Sequence, residues 1–116
     1  MKKSKKIRLE EITKQFLEIF DELPEHKKSF VKSLIDRAAF LIASLQDLEA
    51  EINDKGHTET YQNGENQMGV KQSEAVKTHI AFAKNLSVIM RQLYDFVPAV
   101  KNTESKMAAF QKIYKT

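Results

Sequence analysis

EHKKSFVKSLIDRAAFLIASLQDLEAEIND, residues 25–54, is the stretch on which the fold turns. Within it Val31, Leu34, Ala38, Leu41, Leu45, Leu48 and Ile52 alternate steps of three and four residues without a break. That spacing puts them on one stripe of an α-helix, in the pattern that packs knobs into holes against a second helix. Phe30, Ile35 and Ile42 widen the stripe on its flanks. Pro24 suits the start of such a helix, where its missing N–H costs nothing, and Gly56 supplies the stop. At about 1.5 Å per residue the helix is roughly 45 Å long, against a radius of gyration of about 13 Å for a compact chain of this size. It cannot fit inside a sphere and must pair lengthwise with another helix.

The segment 73–97 is the evident partner. Ser73 is a good N-cap, Pro98 is a stop, and Val76, His79, Ala83, Leu86, Met90, Leu93 and Val97 repeat the three-four seam. Phe82, Ile89 and Phe96 form a second line at seven-residue intervals. Upstream, Ile12, Phe16, Ile19, Phe20 and Leu23 predict an amphipathic helix over about 8–23, ended by Pro24. Downstream, 99–116 reads as a basic tail in which Met107, Phe110, Ile113 and Tyr114 can face inward from a short helix. The segment 56–72 is a polar loop that holds all 3 glycines of the chain.

The expected fold is all-α. A basic flexible arm covers 1–8, and a helical domain covers 9–98 as a short N-terminal helix plus a long antiparallel hairpin. A hairpin buries one stripe of each long helix, and both carry a surplus line. Phe30, Ile35, Ile42, Phe82, Ile89 and Phe96 are therefore expected to form an oligomer interface, since monomers usually avoid large exposed apolar patches.

Composition narrows the function. With 116 residues the chain is one domain's worth. Only 3 Gly and 2 Pro argue against a many-stranded β fold, which needs frequent turns. The Cys count of 0 excludes a disulfide scaffold, a thiolate zinc site and a cysteine nucleophile. The longest apolar run, Ala38 to Ala43, falls far short of the ~18–20 residues that span a bilayer, so no membrane partner is expected. The basic start has no apolar segment behind it, unlike a secretory signal.

The net charge of +3 is unevenly placed. Lys2, Lys3, Lys5, Lys6 and Arg8 precede the first acid, and Lys27, Lys28, Lys32 and Arg37 form a second basic block. These are the candidates for DNA contact through phosphates, each adding to a salt-dependent affinity. Only Phe30 interleaves with them, and it belongs to the apolar flank of the long helix, so base stacking is not indicated.

Catalytic and cofactor chemistry find no support. The run from Gly64 to Lys71 superficially resembles a phosphate-binding loop, but its lysine is one residue late, Gln72 replaces the hydroxyl, and no apolar strand precedes it. His26, His57 and His79 stand far apart with no metal-ligand spacing, and His79 on the seam reads as a hydrogen-bonded core histidine. Glu49, Glu51 and Asp54 read as a solvated helix end, and Ser73 as a cap rather than a nucleophile. No catalytic residue, cofactor or metal is expected.

The segment from Tyr61 to Lys77, YQNGENQMGVKQSEAVK, and the helix end Ile89 to Pro98, IMRQLYDFVP, resemble phage terminase small subunits from phages of Gram-positive bacteria. Those proteins show a long helix, a polar loop similar to Y-x-N-G-x-N-Q-x-G-x-K-x-S and a helix ending x-Q-L-x-x-x-x-P. The resemblance covers roughly 25–98, and the matching loop residues are Tyr61, Asn63, Gly64, Asn66, Gln67, Gly69, Lys71 and Ser73. It implies a non-enzymatic, homo-oligomeric DNA-packaging factor in the cytoplasm of a bacterial host. Such a factor assembles into a ring, binds double-stranded DNA and hands it to a large subunit with ATPase and nuclease activities. One departure stands out: only ~24 residues precede the long helix, too few for a three-helix DNA reader. The alternative function is a helical protein–protein interaction or regulatory module with no packaging role.

Overall fold

The computed structural model describes residues 3–62, 64, 67–100 and 102–115, with backbone only at Ala99, Tyr114 and Lys115. It is mostly helical: α1 (Lys5–Ile19), α2 (Glu25–Lys55), β1 (Thr58–Gln62), β2 (Met68–Gln72), α3 (Glu74–Tyr94), a 3₁₀ turn (Val97–Ala99) and α4 (Thr103–Lys115). The long helix is where its pattern puts it. Lys27 and Lys28 donate backbone N–H to Pro24, and the Gly56 N–H closes the far end on the Ile52 carbonyl at 2.7 Å, with Gly56 at φ 83°. Its length makes the molecule a rod of 64 × 31 × 22 Å with a radius of gyration of 18.1 Å.

The ends of three helices differ from expectation. Helix α1 starts earlier, because Ser4 caps it by accepting a hydrogen bond from the Ile7 N–H at 3.2 Å. It ends at Ile19, and Phe20 and Leu23 are buried in the turn that follows. Helix α3 stops at Tyr94, short of Val97, since Pro98 has no N–H to offer the Tyr94 carbonyl. Helix α4 is longer than Met107 to Tyr114 and begins behind Asn102, whose φ of 57° is a left-handed turn conformation.

The fold is not purely α-helical. In place of the loop expected over 56–72, β1 and β2 pair antiparallel from Thr58↔Gln72 to Gln62↔Met68. Thr58, Thr60, Tyr61 and Val70 favour strands, and Gly64 takes φ 87° in the connection. Asn63-Gly64 between them is a hairpin signal that the polar composition masks.

Burial is graded along the rod. Helix α1 returns along α2, and α4 packs on α1 with Phe110 edge-on to Phe16, Phe20 and Tyr94 at 6.2–6.4 Å between ring centroids. The core gathers here: Phe16, Phe20, Val31, Ile35, Ala38, Leu93 and Val97 are almost wholly enclosed. Beyond Leu45, α2 has no buried residue, and Leu48 and Ile52 on the same seam are only half-buried. Phe16→Ala and Leu93→Ala should each cost about 3–4 kcal/mol, and Leu48→Ala about 1 kcal/mol, in chemical denaturation. Equal losses at Leu93 and Leu48 would show that a second molecule covers the distal seam.

Candidate functional site

The expected surplus line divides in two. The turn of α2 brings Ile35 and Ile42 between α1 and α3, where they are 1% and 5% exposed. They belong to the protomer's own core and cannot form an oligomer interface. Phe30, Phe82, Ile89 and Phe96 are less enclosed, on a flank where Lys5 of α1 reaches the neighbouring Phe40 ring. Phe30 is exposed, with its ring centroid 5.9 Å from that of Phe96, and Phe82, Ile89 and Phe96 are half-buried against the core. Between the two helices on this flank runs a groove of ≈ 610 Å³, lined by Phe40, Leu41, Val88 and Ile89 with Arg37, Asp36, Asn85 and Gln92. Phe40 and Val88 are exposed large apolar residues missing from the expected line. Phe40 shares its heptad position with Ser33 and Asp47, and Val88 with Ala81 and Asp95, so no apolar periodicity gave warning of them.

The basic residues part company in the same way. Residues 5–8 are not a flexible arm but the first turn of α1. Arg8 donates from Nη1 to Gln46 Oε1 at 2.8 Å, pairs through Nη2 with Asp47, and is only 23% exposed at its side chain. Lys5 donates to Ser44 Oγ at 3.0 Å while its Nζ sits 4.8 Å from the Phe40 ring centroid. Lys3 pairs with Glu11 at 2.9 Å and Lys32 with Asp36 at 3.6 Å. Lys2 lies outside the described residues. Lys6, Lys27, Lys28 and Arg37 have no side-chain partner among the described residues. Lys6 stands alongside the Ala43–Asp47 stretch, roughly 25 Å along α2 from Lys27 and Lys28 at 1.5 Å per residue. The candidates do not gather into one patch.

In the polar segment and at its end, Tyr61, Gly69, Lys71 and Ser73 make contacts that hold the hairpin and the start of α3. The Tyr61 ring lies across Gly69, where a Cβ would fall 2.7 Å from the Tyr61 hydroxyl, so only glycine admits the ring there. Lys71 bridges Glu59 at 3.4 Å and Glu74 at 3.2 Å, tying the hairpin to the start of α3. The Lys71 hydrogen bond, and then the Lys77 charge, hold the Glu74 carboxyl below its usual range. The Glu74 and then the Glu59 hydrogen bonds raise the Lys71 ammonium. Glu74's contribution is present above its unfolded value and lost in acid, and that of Lys71 is present below its unfolded value and lost in strong alkali. Ser73 is the N-cap, accepting from the Val76 N–H at 3.2 Å. Gly64 sits at φ 87° in the connection, Gln67 is exposed, and Asn63 and Asn66 lie outside the described residues.

His79 is half-buried rather than in the core, and its Nε2 meets Glu49 Oε2 at 3.0 Å across the α2–α3 seam. Glu49 therefore meets α3 while staying 55% exposed on the solvated end of α2. Among the described residues no group of three or more His, Asp or Glu side chains could hold a metal ion. None of their helices is long and apolar enough to cross a membrane.

Arg8 and Lys6 should now behave differently. Arg8→Gln should lower stability by about 1 kcal/mol in urea denaturation, because its hydrogen bonds to α2 go unmade. Lys6→Gln should change it by less than ~0.5 kcal/mol. Equal effects would return Arg8 to the residues free to meet phosphate. Comparison with family models, characterised proteins and solved structures finds no match to the chain.

Proposed function

We propose that this protein is a non-catalytic, self-associating DNA-packaging factor of the terminase small subunit kind. In that reading it binds double-stranded DNA through phosphates and delivers it to a large ATPase and nuclease subunit in the cytoplasm of a bacterial host. The observation that carries the reading is the open flank of the α2–α3 hairpin. Phe30, Phe40, Val88 and the half-buried Phe82, Ile89 and Phe96 line a helical surface about 20 Å long and 20 Å wide by helix dimensions. A face of that size is about half of the ~800 Å² per partner of an ordinary stable interface, so more of each helix has to take part. An elongated helical hairpin with such a face is the element that the resemblance at Tyr61–Lys77 assigns to assembly.

Phe30 and Val88 are the sites to alter, because both are more than half exposed in the protomer. The pair Phe30→Glu and Val88→Glu should reduce the mass measured by light scattering while helicity stays constant. Desolvating unpaired carboxylates costs several kcal/mol per interface. An unchanged mass would remove this flank as the assembly surface. The DNA half of the reading is tested on Lys27, Lys28 and Arg37 by fluorescence anisotropy with duplex DNA at several salt concentrations. Replacing them with Gln should weaken binding alike for all sequences. The slope of log affinity against log salt should flatten by about 0.9 for each phosphate that is no longer neutralised.

The intramolecular engagement of Lys3, Lys5, Arg8 and Lys32 favours a second reading, a helical protein–protein interaction module without DNA. Self-association with no DNA affinity in either protein would select it.

A further inference from the structure

The hairpin has an open strand edge. The Ser73 N–H donates to the His57 carbonyl at 3.0 Å, which makes that pair a bonded one. Bonded and non-bonded pairs alternate along an antiparallel ladder, so Glu59↔Lys71 and Tyr61↔Gly69 are bonded inward. It follows that the N–H and C=O groups of Met68, Val70 and Gln72 point outward from β2, and those of Thr58, Thr60 and Gln62 outward from β1. No group of the chain meets either set among the described residues. The two edges differ in their side chains. On β1 they are two threonines and a glutamine, whereas on β2 Met68 and Val70 are 73% and 68% exposed. A two-stranded ribbon is marginal alone and gains from added strands.

We infer that β2 pairs antiparallel with β2 of a second copy of this chain, about a two-fold axis through Val70, to form a four-stranded sheet. The register follows from the strand itself. With the axis at Val70, Val70 faces Val70 of the second copy, and Met68 and Gln72 face each other twice. All three outward-pointing residues of β2 then exchange both backbone hydrogen bonds. Lys71 falls opposite Gly69, so no like charges meet. Moving the axis to Lys71 sets two lysines against each other, which destabilises a cross-strand pair, and drops one bonded pair. Moving it to Gly69 also drops one and opposes two residues without side chains. Lys71 is already satisfied by Glu59 and Glu74, and Tyr61 covers Gly69 on the other face. This pairing uses none of the residues of the helical flank and stands without it.

The chain has 0 Cys, so an introduced thiol is the only one present. Bonded antiparallel pairs place Cα atoms about 5.5 Å apart, inside the ~4.4–6.8 Å range of disulfides. V70C under air oxidation should form a covalent dimer at least tenfold faster than T60C, which is on the β1 edge and the same face. A mixture of M68C and Q72C should cross-link faster than either alone. V70P removes an outward N–H that the hairpin does not use, so placed in the M68C and Q72C chains it should abolish their cross-link while the circular dichroism is kept. Equal rates for V70C and T60C, or no V70C dimer in a protein that light scattering shows to be oligomeric, would overturn the edge pairing alone. V70C cross-linking that persists in the Phe30→Glu, Val88→Glu background would support it while the helical flank fails.

Discussion

The length of α2 governs this molecule. A helix running from Glu25 to Lys55 is about 46 Å long, and no other helix of the chain can accompany it for its whole course. Helix α1, from Lys5 to Ile19, reaches back only as far as Asp47, and α4 covers α1 rather than the distal part of α2. The rod is therefore a four-helix bundle at one end and a bare helical pair capped by a β-hairpin at the other. The enclosed phenylalanines, isoleucines and valines sit in the bundle, and the distal seam is closed on one side only. The enclosed core gathers at one end, and apolar surface is left both beside it on the α2–α3 flank and at the distal β2 edge.

That asymmetry leaves apolar surface where a packed domain would have none. The open flank of α2 and α3 and the outer edge of β2 are different kinds of surface. One offers side chains from two helices, and the other offers backbone groups flanked by Val70 and Met68. The β2 edge lies away from the Phe16–Phe110 centre, whereas the flank is continuous with the core through Phe82, Ile89 and Phe96. The ties that hold the distal end are polar: Lys71 to Glu59 and Glu74, and His79 to Glu49. Exposed ion pairs of this kind contribute little each, about 0–1 kcal/mol, and position the hairpin more than they stabilise it.

The basic residues illustrate how far charge in sequence differs from charge in space. Lys3, Lys5, Arg8 and Lys32 look like free phosphate contacts when counted along the chain. In the fold each has an acceptor. Lys32 finds its own on the same helix in Asp36, and Lys3, just ahead of α1, reaches Glu11 on that helix. Lys5 and Arg8 meet Ser44, Gln46 and Asp47 because α1 lies antiparallel on α2. Arg8 acts as a clasp between the two helices. The cations left over, Lys6, Lys27, Lys28 and Arg37, are spread along the rod, an arrangement suited to weak, sequence-independent contact with a long polyanion rather than to one tight site.

Sequence periodicity alone determined the helical pairing. The three-four steps from Val31 to Ile52 and from Val76 to Val97 admit one geometry, and Pro24, Gly56 and Ser73 mark its ends because capping is a local matter of backbone donors and acceptors. The α1 stripe was equally legible, down to Phe16 and Ile19. What periodicity could not decide was which flank of α2 the third neighbour would take. Phe30 and Ile35 are both apolar and both off the seam, yet a rotation of about 140° around the helix, at 3.6 residues per turn, sends one to solvent and the other to the core. The packing of α1 and α4 made that choice. The hairpin was hidden for a related reason. Its strands are exposed on one face and polar in composition, so no hydrophobic alternation announces them, and their pairing depends on contacts between residues that are not neighbours in the chain.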